Sequence, residues 1–139
     1  MLLTAAVFAC WQTAAIVPLK ILIVFFHEAS HAIATLLTGG EVVSLSVSAE
    51  QGGLVLSRGG SRVWTLTAGY LGSLLIGVTL LIAATKTTLD RQVMALTGII
   101  TLVIAGFYVR EVFALGFTIV TGIAMIAAAA MLNHSINDM

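Results

Sequence analysis

Residues 21–37 read ILIVFFHEASHAIATLL, and the segment HEASH at 27–31 lies at the centre of this apolar run. A helix turns about 100° per residue, so His27 and His31 lie one turn apart on the same face, with Glu28 beside them. Two imidazoles at this spacing can bind one metal ion, and the neighbouring carboxylate can take a proton from water. The stretch therefore predicts a helix with a zinc site, in which His27 and His31 are ligands and Glu28 is the general base.

Two histidines on one helix face can also be structural, as capping groups or as hydrogen-bonded side chains of a surface helix. The apolar residues on both sides of HEASH argue against that interpretation. A charged carboxylate at the centre of a membrane-spanning helix costs roughly 2.5–3.5 kcal/mol on insertion scales, and such residues are usually functional. A haem bound by both histidines is a third alternative that the spacing disfavours, because residues four apart on one helix cannot reach opposite faces of one haem.

The composition is that of an integral membrane protein. Of the 139 residues, 60% are hydrophobic and 9% are charged, whereas about 25% are charged in a soluble domain. Six basic and six acidic residues give a net charge of zero, which gives no indication of nucleic-acid binding. The single cysteine excludes an internal disulfide and a zinc site built from cysteines. We expect a multi-pass protein of the lipid bilayer, and of the cell membrane if the source is bacterial.

Hydropathy divides the chain into four firm spans and one short span at the N-terminus. Gly39-Gly40 is a natural end for the HEASH helix, and charged residues bracket two later spans. The predicted spans are 2–17 (short), 19–38, 63–85, 92–109 and 112–132. No linker interrupts the chain, so residues 1–139 form a single domain. Lysines and arginines divide three against three between the two membrane sides, which leaves the orientation open.

The segment after the HEASH helix has a different pattern. Residues 41–48 (EVVSLSVS) alternate between apolar and polar side chains, residues 50–53 (EQGG) form a turn, and residues 54–57 (LVLS) follow. This pattern predicts a β-hairpin at the membrane surface beside the helix; the alternative is a plain interfacial loop. An exposed strand edge there can pair with an extended substrate. The predicted fold class is thus an all-α membrane protein of four to five transmembrane helices, with a β-hairpin inserted after the HEASH helix.

The span that begins after Arg62 carries small residues at intervals of four. These are Ala68 and Gly72, Gly69 and Ser73, and Ser73 and Gly77. Such spacing lets helices approach closely in lipid, so we expect this face to pack against the HEASH helix. Tyr70, in the same stretch, is a candidate for contact with the metal site, which the sequence alone does not decide.

Four segments in a fixed order carry a family resemblance: FHEASHA at 26–32, TGG at 38–40, the Gly-Gly hairpin and AGYLGS at 68–73. Together they resemble the site-2 protease-like metallopeptidases, specifically the compact B-like branch of metallopeptidase family 50. The resemblance covers the chain from about residue 15 to its end. It implies a zinc-dependent intramembrane peptidase with His27 and His31 as ligands and Glu28 as catalytic acid and base. Its substrate would be a membrane-embedded or membrane-adjacent peptide.

The resemblance also implies a third zinc ligand, an aspartate in or near a later helix, which is not evident in this chain. The candidates all lie at span boundaries, and they are Asp90, Glu111, His134 and Asp138. Members of this branch continue further, so we expect the chain to lack a C-terminal part of the family fold. Two functions remain open: a zinc metallopeptidase, or a catalytically inactive or truncated scaffold or substrate-binding protein of the same fold. The sequence gives neither the substrate nor the oligomeric state.

Overall fold

The computed structural model describes residue 5 and residues 8–86 and 90–135. A short 3₁₀-helix is followed by four α-helices and two strands. In chain order these are the 3₁₀-helix Ala14–Ile16, α1 Val17–Leu37, β1 Glu41–Val47, β2 Gly53–Arg58, α2 Arg62–Lys86, α3 Asp90–Tyr108 and α4 Val112–Ser135. Within the described ranges, four helices are long and apolar enough to cross a membrane. The molecule is therefore a multi-pass integral membrane protein that is mostly helical and carries one hairpin, as predicted.

Residues 2–4, 6 and 7 of the short N-terminal span predicted at 2–17 lie outside the described residues. Where the structure describes this stretch, residues 10–12 form a turn and Ala14–Ile16 form the 3₁₀-helix that leads into α1. The other four predicted spans each coincide with one helix, within a few residues at either end.

Helix α1 begins and ends where its sequence requires. Pro18 lies in the first turn, where a missing backbone N–H costs nothing. At the other end the Gly40 N–H donates to the Thr35 carbonyl at 2.8 Å, and the Gly39 N–H donates to the Leu36 carbonyl at 3.2 Å. Gly39 has a φ of 80°, so this is a Schellman ending that needs glycine. It turns the chain back toward the helix.

The antiparallel hairpin runs back alongside α1 and does not stand above its end. A Cβ atom added to Gly53 would lie 2.6 Å from Cγ of Glu28 and 2.7 Å from Cγ1 of Val24. Gly53 thus reaches a level about 14–20 Å before the C-terminus of the helix, at 1.5 Å per residue. The predicted position of the hairpin beside the HEASH helix is confirmed, and its level relative to the membrane surface stays a prediction. Non-helical backbone beside a membrane-spanning helix is tolerated where protein covers it or where it lines a water-filled cavity.

Strand β1 forms the covered side of the hairpin. Val42, Leu45 and Val47 are buried with Phe25 of α1. A bulge between Val42 and Ser44 puts Val42 and Leu45 on the same face although they are three apart. Leu45 also makes an isolated bridge to Val109, after α3. The strand therefore joins α1 to the α3–α4 pair, and β2 is left as the outer strand.

Candidate metal centre

His27 and His31 point toward each other from successive turns of α1. Their Nε2 atoms are 3.0 Å apart, and their ring centroids are 4.7 Å apart at an interplanar angle of 84°. Two nitrogens bound tetrahedrally to one zinc ion at 2.0–2.1 Å would be separated by about 3.3 Å. The histidine pair thus has nearly the spacing that a shared zinc ion needs.

A backbone carbonyl of α2 fixes the tautomer of His31. Nδ1 of His31 lies 2.6 Å from the carbonyl oxygen of Thr65. A carbonyl only accepts hydrogen bonds, so Nδ1 carries the proton and donates it. The lone pair of His31 is then on Nε2, the atom that faces His27. This arrangement, with one ring nitrogen free and the other bonded to a carbonyl, is typical of metal-binding histidines.

Two threonines hold α1 and α2 together beside His31. The Thr35 hydroxyl donates to the His31 carbonyl at 2.9 Å, and its oxygen lies 3.3 Å from the Thr65 hydroxyl oxygen. Because the Thr35 proton is already used, Thr65 is the donor in this second bond. The contact fixes the carbonyl of Thr65 relative to the histidine that it orients.

The small residues of α2 bring this helix against the histidines. A Cβ atom on Gly69 would overlap the His31 imidazole and would lie 2.6 Å from Nε2 of His27. Gly72 packs equally closely on Ser30, while Gly77 has open space around it. The predicted packing is confirmed at the first two glycines and ends before the third. Tyr70 follows Gly69, and its ring stands edge-on to His27, with centroids 4.7 Å apart.

Glu28 lies near His31 on α1, and both residues line a cavity between the hairpin and α2. Glu28 is 8% exposed, and the cavity has a volume of about 380 Å³. Its walls come from α1, from β2 and from the start of α2, and the lining residues include Glu28, His31, Val55, Arg62 and Thr65. A carboxylate and an imidazole therefore open onto one space that can hold water and part of a substrate.

The outer edge of β2 faces this cavity. The Ser48 N–H donates to the Gly52 carbonyl at 2.9 Å, and the Gly52 N–H donates to the Ser48 hydroxyl oxygen at 3.2 Å, so these two residues face each other at the turn. Pairing in antiparallel strands alternates, which directs the N–H and C=O groups of Gly53 and Val55 away from β1. Both residues line the cavity. By this alternation, we expect the backbone N–H and C=O groups of Gly53 and Val55 to have no partner on β1.

The comparison with known families agrees with this geometry. A family model described as Peptidase M50B-like matches residues 1–139. The chain belongs to the peptidase M50B-like family. No curated protein and no solved structure matched the chain. Membership places it in a family of the membrane metallopeptidase type and confirms the resemblance found in its motifs.

The third ligand is not among the described side chains of this M50B-like protein. In those ranges no three histidine, cysteine or acidic side chains come together as a metal site. Glu111 is exposed between α3 and α4 and does not line the cavity. The side chains of Asp90 and His134 and all of Asp138 lie outside the described residues. The structure thus joins His27, His31 and Glu28, and leaves the identity of a third ligand as a prediction.

Gly69→Ala is expected to destabilise the M50B-like fold and to weaken metal binding, because the new methyl group would overlap both imidazoles. Overpacking of this kind costs about 1–3 kcal/mol. Gly77→Ala is the matched control on the same helix, where nothing lies within 4 Å. Thermal unfolding in detergent and zinc content measure both effects. Equal behaviour of the two variants would contradict the close approach of α2 to the histidines.

Proposed function

We propose that this chain is a zinc-dependent intramembrane metallopeptidase that hydrolyses peptide bonds in or near the membrane. The observation that carries the proposal is the His27–His31 pair, with Nε2 atoms 3.0 Å apart, beside a buried carboxylate that opens onto a cavity. Membership of the peptidase M50B-like family supports the same reaction class.

The donor set fits zinc. His27 and His31 would hold the ion through Nε2, and the Thr65 carbonyl keeps the lone pair of His31 available for it. Neutral imidazole is a preferred zinc ligand, and catalytic sites combine three protein ligands with one open position. When bound, zinc supplies an activated water molecule and polarises the carbonyl that is attacked.

Glu28 would move the protons of the reaction. Its carboxylate lines the same cavity as His31, so it can accept a proton from the attacking water at a carboxylate oxygen. It can then donate that proton to the nitrogen of the departing amine, which returns the carboxylate to its starting state. Glu28 is buried against Gly53. This packing would keep the carboxylate in place from the first proton transfer to the second.

The substrate would bind as an extended strand along β2. The free N–H and C=O groups of Gly53 and Val55 face the cavity that contains Glu28, and addition of a strand to a sheet edge is a common way to bind peptides. A membrane-embedded helix would have to unwind locally to pair in this way. The proposed substrate is therefore a membrane-embedded or membrane-adjacent segment that can become extended.

A second candidate is a catalytically inactive protein of the same fold that binds such a segment without cleaving it. It is favoured by one observation, that the described side chains supply two histidines and no third ligand. The edge of β2 would serve both functions, so the hairpin does not distinguish them.

Proteolysis by the purified chain in liposomes distinguishes the metallopeptidase from the inactive binding protein. With fluorescein-labelled casein as an unstructured probe, we expect peptide release that a zinc chelator stops and that added zinc restores, because the water is activated only at the metal. A vesicle sample without protein is the control. Zinc binding without cleavage of casein or of a labelled single-span peptide would favour the inactive binding protein.

A further inference from the structure

Helix α2 contacts each of the two histidines with a different group. The Thr65 carbonyl accepts a hydrogen bond from His31, whereas His27 meets the ring of Tyr70 edge-on, at a centroid distance of 4.7 Å and an interplanar angle of 79°. Within the described part of the chain, the hydrogen bonds of His27 give it no polar side-chain partner besides His31. Tyr70 thus makes an aromatic contact with His27, whereas α2 makes a hydrogen bond with His31.

We propose that Tyr70 is the positioning residue of the metal site, whose ring holds the imidazole of His27 in the orientation that aims Nε2 at the shared ion. The proposal rests on the proposed metal site and adds a residue on a second helix to it. Metal-binding histidines normally need an outer partner that fixes the ring, and loss of such a partner lowers metal affinity about 10–100-fold. An edge-to-face aromatic contact supplies the same kind of restraint.

The ring and the hydroxyl of Tyr70 make separable contributions. The aromatic ring of Tyr70 contacts His27, and among the described residues the side-chain hydrogen bond made to Tyr70 goes to its backbone carbonyl, which accepts from the Ser73 hydroxyl at 3.2 Å. Phenylalanine keeps the ring, so it should preserve the restraint. Leucine fills similar apolar space without a planar face, so it should release His27.

The exposure of Tyr70 makes this test possible. The residue is 79% exposed on a membrane-spanning helix, so its side chain contributes little to the packed interior. Its neighbour Gly69, which packs against both imidazoles, stays unchanged in every variant. Loss of metal affinity at Tyr70 can therefore be separated from loss of the fold.

The experiment measures Co²⁺ binding by the full chain in detergent, with Co²⁺ as a visible probe for the zinc site. Wild type, Tyr70→Phe and Tyr70→Leu are compared with Trp64→Leu, which removes another exposed aromatic of α2 (68% exposed). We expect Tyr70→Leu to bind Co²⁺ at least about tenfold more weakly and to change the visible spectrum. Tyr70→Phe and Trp64→Leu should stay near wild type in both measurements.

Thermal unfolding of each variant shows whether the fold is retained. If Tyr70→Leu unfolds, Tyr70→Met, which also lacks an aromatic ring, takes its place in both measurements. Weak binding by folded Tyr70→Phe would overturn the proposal, because the ring alone would then not position His27. Wild-type affinity and spectrum in folded Tyr70→Leu would overturn the proposal and leave the metal site standing. Absence of Co²⁺ binding in wild type would overturn both the metal site and the role of Tyr70.

Discussion

Replacing His27 and His31 together with alanine is expected to reduce bound zinc from about one ion per chain to nearly none. The reason is geometric, because the two Nε2 atoms lie 3.0 Å apart and no group of three histidine, cysteine or acidic side chains forms elsewhere among the described residues. Elemental analysis of the detergent-purified chain measures the stoichiometry directly. Each single alanine variant should bind weakly, since one imidazole leaves too few protein donors.

The matched control removes two exposed apolar side chains from the same helix. Ile23 and Ile33 are 47% and 44% exposed, and the double variant Ile23→Ala/Ile33→Ala leaves both histidines in place. It should keep its zinc at the wild-type level. Equal zinc in wild type and in the double histidine variant would show that the ion, if present, binds elsewhere, and the proposed function would then lose its basis.

The same assay can locate the third ligand. Four single alanine variants, of Asp90, Glu111, His134 and Asp138, should be compared under limiting zinc. Glu111→Ala is expected to have no effect, because Glu111 is exposed between α3 and α4 and outside the cavity of His31. A clear loss of zinc in one of the other three would identify that residue as the ligand.

The sequence was sufficient for the membrane helices, the hairpin and the histidine pair. Each follows from a local pattern: uninterrupted apolar runs, alternation with period two, and two histidines four residues apart. The end of α1 was also predictable, because Gly39 and Gly40 permit the backbone conformation that the turn needs. Family membership then agreed with the order of these segments.

The contacts between elements were not predictable from local patterns. The carbonyl of Thr65 orients His31, and a backbone carbonyl has no signature in the sequence. Small residues indicated which face of α2 approaches α1, but the contact of Tyr70 with His27 depends on the rotation of α2 about its axis. The depth of the hairpin depends on the packing of Gly53 against Glu28, which relates residues far apart in the chain.

The hairpin places the edge of β2 beside the cavity that contains Glu28 and His31. The strand edge of Gly53 and Val55 has free backbone groups beside a helix that spans the membrane, and such groups are costly in lipid unless water or protein satisfies them. The cavity they line also contains Glu28 and His31. One water-filled cavity would satisfy the strand edge, and under the proposed function it would also supply water for hydrolysis and admit an extended substrate.

Glu28→Gln is expected to remove peptide cleavage while zinc stays bound. Glutamine has nearly the same size as glutamate, so it keeps the packing against Gly53, but it cannot accept a proton from water. Loss of a general base lowers the rate by about 10²–10⁴-fold. The rate of casein cleavage in liposomes and the zinc content of the same samples measure the two properties side by side.

The control for charge is Glu50→Gln, which makes the same chemical change at an exposed carboxylate in the hairpin turn. It should cleave at the wild-type rate, because Glu50 does not line the cavity that contains His31. Near wild-type cleavage by Glu28→Gln would exclude Glu28 as the base. Loss of zinc along with activity would instead make Glu28 a ligand, which would supply the third donor that the two histidines lack and require a different group to carry the proton.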